Sequence, residues 1–411
     1  MITPAFGLTA TERVLPKLAL DFTTALLDSR VTFTRTGNTA TVINSSGFVT
    51  GINADLPRFD FDPVALTCKG LLIEEARTNS LKESNTFATS PWVNTRASSV
   101  TSSVVDPAGA STAVKLTEDS SASTTHLISQ DVTNGNATYT FSVYLKAGER
   151  TNAAMFMSDL STASVGINVN LTTGTFTLTT GGSWTNVSGS VTNAGNGWWR
   201  CVTTATRGAG TVTSPRVLLA NSSGNISYTG DGTSGAYIYG AQLEVGAFAT
   251  SYIPTVASQV TRTADVATMT GTNFSDWFNA AQGTFVTQAM SPSTFVPAHA
   301  DNGTAGVSIS TRSRASGVSG TAASVANISE QLTATNFTFA ATNKVALAFK
   351  ENDFAWSLNG ATPATDTSGT LPTVDRMRFG SNVTSTFSGH LQKVFFYPQR
   401  LTTAEVQAFS K

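Results

Sequence analysis

The sequence predicts an all-β protein: an extended N-terminal arm followed by two β-sandwich domains of jelly-roll and concanavalin-like type. Three observations lead there. Charged residues make up 12% of the 411, against about 25% in ordinary soluble domains, and Ser, Thr, Asn and Gly fill the space they leave. Short hydroxyl and amide side chains suit turns and the solvent faces of strands, whereas a helical surface would be rich in Glu, Lys and Arg. Short runs of alternating large and small polar residues recur between Gly, Asn and Ser turns, and only two short stretches carry helix-start signals.

Taken in order, residues 1 to 85 hold the densest charges and the prolines Pro4, Pro16, Pro57 and Pro63. Their strand-like pieces are short, such as Val31-Thr32-Phe33-Thr34 and Ala40-Thr41-Val42-Ile43. This stretch reads as an extended arm. Residues 86 to 258 form the first sandwich. There Tyr139, Phe141, Val143 and Leu145 fall on one face of a strand and Thr140, Ser142 and Tyr144 on the other, the pattern of a half-buried strand. Ile167, Val169 and Leu171, the turn Thr172-Thr173-Gly174, then Phe176 and Leu178 read as a hairpin with glycine at a positive-φ position. Many such strands predict a sandwich or jelly roll.

Residues 259 to 411 form the second sandwich, entered through the polar run after Pro254. Ser275 is placed to cap a short helix over 276 to 281, closed by Gly283. Val345, Leu347 and Phe349 share one strand face, as do Phe354, Trp356 and Leu358, with Glu351-Asn352-Asp353 turning between them. Thr402 and Glu405 have capping-box spacing and start a C-terminal helix.

Composition also bounds function. The formal net charge is -1, so there is no basic excess to neutralise phosphates and nucleic acid is not an expected partner. Cys68 and Cys201 stand far apart, which predicts two reduced thiols. No apolar run reaches the ~18 residues of a membrane span, and Pro4, Glu12, Arg13, Pro16 and Lys17 interrupt any leader-like core. Synthesis in a cytoplasm is expected, although the composition looks extracellular.

Catalytic signatures are sparse. His126, His299 and His390 are scattered singly, and no nucleophile elbow, P-loop or dinucleotide fingerprint occurs. A sandwich glycosidase would present two or three carboxylates on one strand face, and no strand here does. Glu351 and Asp353 read as a solvated turn, and Asp231 as a turn residue without a calcium-loop pattern around it. No enzyme activity or cofactor is therefore expected, and no residue is assigned to a metal. A depolymerase assembled from carboxylates on different strands stays open as an alternative.

Sugar binding needs an aromatic platform with neutral polar groups beside it. Trp184, in Gly181-Gly182-Ser183-Trp184-Thr185-Asn186, has the most polar setting of the aromatics. Tyr144 follows, on the polar face of its strand, and Trp198 is the third candidate. Trp199 and Trp356 read as core, and Gln242 and Glu244 as structural hydrogen-bonding residues.

Pro57-Arg58-Phe59-Asp60-Phe61-Asp62-Pro63 and Lys69-Gly70-Leu71-Leu72-Ile73-Glu74-Glu75-Ala76-Arg77-Thr78-Asn79 together resemble an N-terminal signature of tailed-bacteriophage fibre and head-spike proteins. Asn196-Gly197-Trp198-Trp199-Arg200, and the segment from Gly235-Ala236-Tyr237 through Gln242-Leu243-Glu244 to Tyr252-Ile253-Pro254, are similar to strands of the carbohydrate-binding-module-like jelly roll of the same proteins. Phe387-Ser388-Gly389-His390-Leu391 through Phe395-Phe396-Tyr397 to Val406 resembles the close of a concanavalin-like, laminin-G-like sandwich. The resemblance implies a virion protein assembled in the host cytoplasm, docked on other virion proteins of head or tail through its arm. It implies homotrimers and contact with host-surface glycans. A purely structural decoration protein is the other alternative.

Overall fold

The computed structural model describes residues 14–160, 164–292, 296–305, 307–313, 321–325, 338–384 and 386–411. The chain is nearly all β, as expected. It divides into two compact units: the stretch up to Phe33 together with Val266–Lys411, and Thr34–Asp265. Among the described residues no helix is long and apolar enough to cross a membrane.

The unit Thr34–Asp265 is built on a jelly roll whose strands are β1 (Val93–Thr95), β2 (Ala97–Thr101), β3 (Val114–Glu118), β4 (Leu127–Ser129), β5 (Thr138–Ala147), β6 (Asn152–Ser158), β7 (Ser164–Asn170), β8 (Phe176–Thr179), β9 (Trp184–Asn193), β10 (Trp198–Arg207), β11 (Val212–Ala220) and β12 (Gly235–Val245). One sheet runs β9-β10-β5-β12-β3-β2 and the other β8-β7-β6-β11-β4-β1. Their facing sides share a core that includes Phe141, Val143, Met155, Met157, Ile167, Val217 and Leu243. The hairpin expected over 167 to 178 is β7-β8, with Ile167 opposite Leu178 and Gly174 at φ +72°.

The other unit is a second β-sandwich. Its larger sheet carries, side by side, Ala364–Asp366, Asp353–Leu358, Thr342–Lys350, Gln282–Met290 and Gly389–Tyr397. Trp356, Leu347 and Phe349 are fully buried there. The capping box forms as read: Thr402 and Glu405 cap the helix Thr403–Phe409 reciprocally. The other short helix lies earlier than expected, over Thr272–Ser275, because Gly271 at φ +59° starts it and Ser275 ends it.

The extended arm is where the sequence reading and the structure differ. The contacts divide the chain at 33/34 and 265/266, not at 85/86 and 258/259. Leu18–Asp21 is a strand paired antiparallel with Gly389–Tyr397. Residues 34 to 85 instead contribute the hairpin Ala40–Ile43/Val49–Ile52, the pair Phe59–Phe61/Cys68–Ile73 and the strand Arg77–Asn79, which pairs with Val260–Arg262. Arg35, Arg58, Asp60, Glu74 and Arg77, charges of the stretch that reads as an extended arm, are buried, for the reason given next.

Candidate functional site

Arg35, Arg58, Arg262, Glu74 and Asp265 meet with side chains 0 to 6% exposed. Arg58 donates to Glu74 at 2.7 Å and pairs with Asp265, which also takes Arg35 at 3.2 Å. Glu74 in turn accepts from the Ser251 backbone and hydroxyl, both at 2.7 Å. Burial pushes the Glu74 carboxyl up, but Arg262 and Arg58 outweigh it and hold the group well below the usual carboxylate range. Asn79 donates to the carbonyls of Ala241 and Ile253 and accepts from the Leu81 and Leu243 amides. The two signature segments are thus a buried clamp that fastens residues 34 to 85 and 249 to 265 to the jelly roll.

This clamp decides the fate of the predicted aromatic platform. Tyr144 is 4% exposed and Trp198 1% exposed, packed with Tyr239, Tyr252, Val49 and Ala113 on the outer face of the β5–β10 sheet. The hairpin carrying Ile43 and Val49 and the exit segment carrying Tyr252 cover that face. The strand Thr138–Ala147 is therefore buried on both sides, with Thr140, Ser142 and Tyr144 all shielded. Trp184, 5% exposed, belongs to the inter-sheet core. A bulge between Thr185 and Ser188, with Asn186 at φ +52°, breaks the alternation of β9 and leaves Trp184 facing inward. None of the three offers an exposed ring. Gln242 and Glu244 have the structural role read for them: Gln242 accepts from the Ile253 amide at 2.6 Å, and Glu244 from the Thr250 amide at 3.0 Å.

The outer face of the opposite sheet is different. A row crosses five strands there, with Thr179 beside Gly166, Gly166 beside Phe156, Phe156 beside Arg216 and Arg216 beside Ser129. Their sequence neighbours Met155, Met157, Val165, Ile167 and Val217 point into the core, so this row points out. Glycine is required at 166: a Cβ there would lie 2.4 Å from Cδ1 of Phe156 and 2.0 Å from the Met155 carbonyl oxygen. The Phe156 ring thus lies against the glycine and joins Leu127, Ala154 and Leu218 in a small apolar floor. Asn221 closes a turn by accepting from the Ser223 and Asn225 amides, which brings Ile226 onto one side of that floor. Above it opens a groove of about 510 Å³, walled by Thr125, Ser164, Thr179, Thr180 and Arg216. Sequence reasoning missed it, although a glycine inside a strand is a signal of close approach.

Two acidic groupings outside the groove are engaged. Glu118 accepts from Tyr228, Arg150 and the Asp231 amide, so its oxygens are all occupied. Burial, then the hydrogen bond to Glu118, pushes the Tyr228 phenol up, away from an activated nucleophile. Asp231 folds onto its own turn, accepting from the Thr233 and Ser234 amides. Glu351 is exposed in a turn with Asn352 at φ +57°, and Asp353 pairs with Arg400 at 2.7 Å. Among the described residues no three His, Cys, Asp or Glu side chains gather as metal ligands.

No family model and no curated protein matches the chain. Among solved structures it is similar to Trypanosoma rangeli sialidase in complex with the inhibitor DANA, at 10% identity and a TM-score of 0.28, over 73% of this chain and 60% of that one. It is also similar to domains LG4-5 of the mouse laminin alpha1 chain, at 10% identity and a TM-score of 0.22, over 68% of this chain and 90% of that one. The chain thus spans about 60% of the sialidase's length. These matches correct the expectation of a chain that is not an enzyme, because the similar structures include enzymes. The likeness is a weak one of fold, and it brings neither substrate nor catalytic residue to this chain.

Proposed function

We propose that the chain is a virion fibre or spike protein of a tailed bacteriophage and that its jelly roll holds host-surface glycan in the groove over Phe156. The observation that carries the glycan reading is the groove itself. It combines an aromatic and aliphatic floor with hydroxyl-bearing walls at Ser164, Thr179 and Thr180 in about 510 Å³, the pairing of apolar surface and neutral polar groups that sugar rings require. The virion reading rests on the resemblance of the segments 57–63 and 69–79 to fibre and head-spike proteins. Docking on virion proteins through the N-terminal stretch and assembly as a homotrimer in the host cytoplasm belong to the same reading.

The test uses the full chain on host cells and on an array of bacterial surface polysaccharides. Thr180 is exposed at the groove wall, so Thr180→Trp should fill the groove while melting like the parent. Binding by the parent and loss in the variant is the expected result. Equal binding by both would move the site elsewhere, and no binding by the parent would remove the glycan reading. Release of reducing ends in the same incubation reports whether bound glycan is also cut.

A further inference from the structure

We infer that the groove selects glycans carrying an anionic group, a carboxylate or a phosphate, and that Arg216 is the residue that reads it. The inference rests on the glycan-binding reading above and adds the ligand's charge. Among the described residues, Arg216 is the one charged residue lining the groove, and no carboxylate shares the lining. Arg216 is half-buried, yet among the described residues it makes no ion pair and donates no side-chain hydrogen bond. Other arginines of the same unit are engaged: Arg58, Arg150 and Arg207 each donate to carboxylates, carbonyls or hydroxyls.

Position makes this guanidinium useful. Arg216 stands directly across from Phe156 on the outer face, where side chains of opposed residues lie about 4.5 to 5.5 Å apart at Cβ. A sugar ring on the Phe156 floor would place an equatorial substituent within reach of the guanidinium. The planar fork matches both carboxylate and phosphate oxygens in two parallel hydrogen bonds. The surrounding walls supply hydroxyls from Thr179 and Ser164, with Asn168 fixing Thr179 by donating to its Oγ1 at 3.0 Å. These can bond neutral sugar hydroxyls but carry no charge to compete for the arginine.

The experiment measures full-length chain against an acidic bacterial polysaccharide in three forms: native, carboxyl-reduced so that uronic acids become neutral hexoses, and stripped of phosphate. Native glycan should bind, and one of the two treatments should weaken binding about tenfold to a hundredfold, the range for a charge-assisted hydrogen-bonded pair. Which treatment does so identifies the anion. Arg216→Gln should lose the same factor on native glycan and none on the treated form, while Arg216→Lys keeps part of it. Equal binding to all three forms, with Arg216→Gln indistinguishable from the parent, would overturn the inference and leave the glycan reading standing. No binding to any form, in a chain that melts cooperatively, would overturn both.

Discussion

On one outer face of the jelly roll, Tyr144, Trp198 and Tyr239 lie beneath Val49 and Tyr252; on the other, Phe156 and Arg216 lie beneath a groove walled by threonines and a serine. Neither face is apolar throughout. Thr140, Ser142 and Arg200 share the covered side, and Leu127, Ala154 and Leu218 share the open one. What separates them is the chain laid on top. The first face is roofed by segments from both ends of the unit, held by the Arg58–Glu74–Asp265 clamp, while the second keeps an open groove with the turn that carries Ile226 at its side. Availability for a ligand is therefore set by distant covering segments rather than by the polarity of the strand that bears the ring.

The strongest way to break this contrast is to release the roof. Glu74→Ala would leave three buried guanidiniums facing the single carboxylate Asp265. Breaking a buried ion pair from one side costs about 3 to 5 kcal/mol, so the unit Thr34–Asp265 should lose most of its stability in urea. Acid should act in the same direction. The folded Glu74 carboxyl titrates below its unfolded value, so its contribution is fully present above the ordinary carboxylate range near pH 4.5 and drains away as pH falls toward the folded value. A melting temperature flat down through pH 4 in the parent, or an equal acid slope in Glu74→Gln, would show that the clamp does not hold the roof.

A smaller effect is expected from truncating what lies under it. Trp198→Ala should cost about 3 kcal/mol, the lower end for a buried tryptophan because its cluster is small, including the bond from its indole N–H to the Val105 carbonyl at 2.9 Å. Glycan binding at matched folded fraction should stay at the parent level. Selective loss of binding at unchanged stability would put Trp198 back at a ligand surface.

The same contrast explains what could be read from the sequence. Strand alternation, the β7-β8 hairpin, the buried Trp356 and the Thr402–Glu405 capping box depend on neighbours within a few residues, and all are legible. The clamp depends on Arg58 meeting Asp265 across 207 positions, which no local pattern carries. Prolines and charges near residue 60 therefore read as an arm, and Tyr144 and Trp198 stand in the sequence as candidate sugar contacts. Trp184 failed for a nearer reason, since one bulge is enough to turn a strand's polar face inward. The groove needed two facts to be joined, a glycine in the middle of β7 and an aromatic on the strand beside it.

The smallest expected effect sharpens the comparison most, because it sets two arginines of one unit against each other. Arg58 is fully buried and bonded to Glu74, Asp265, Ser251 and the Thr41 carbonyl, so any replacement strands buried carboxylates. Arg216 is half-buried on the open face with no such partner among the described residues. Arg216→Gln keeps most of the aliphatic stem and removes only the charge, and a substitution that breaks no contact normally stays within about 0.5 kcal/mol. Chemical denaturation should therefore give the same midpoint and slope as the parent. A loss of 1 kcal/mol or more would mean that Arg216 is already committed within the fold, and the open face would then resemble the covered one in having no free cation to offer.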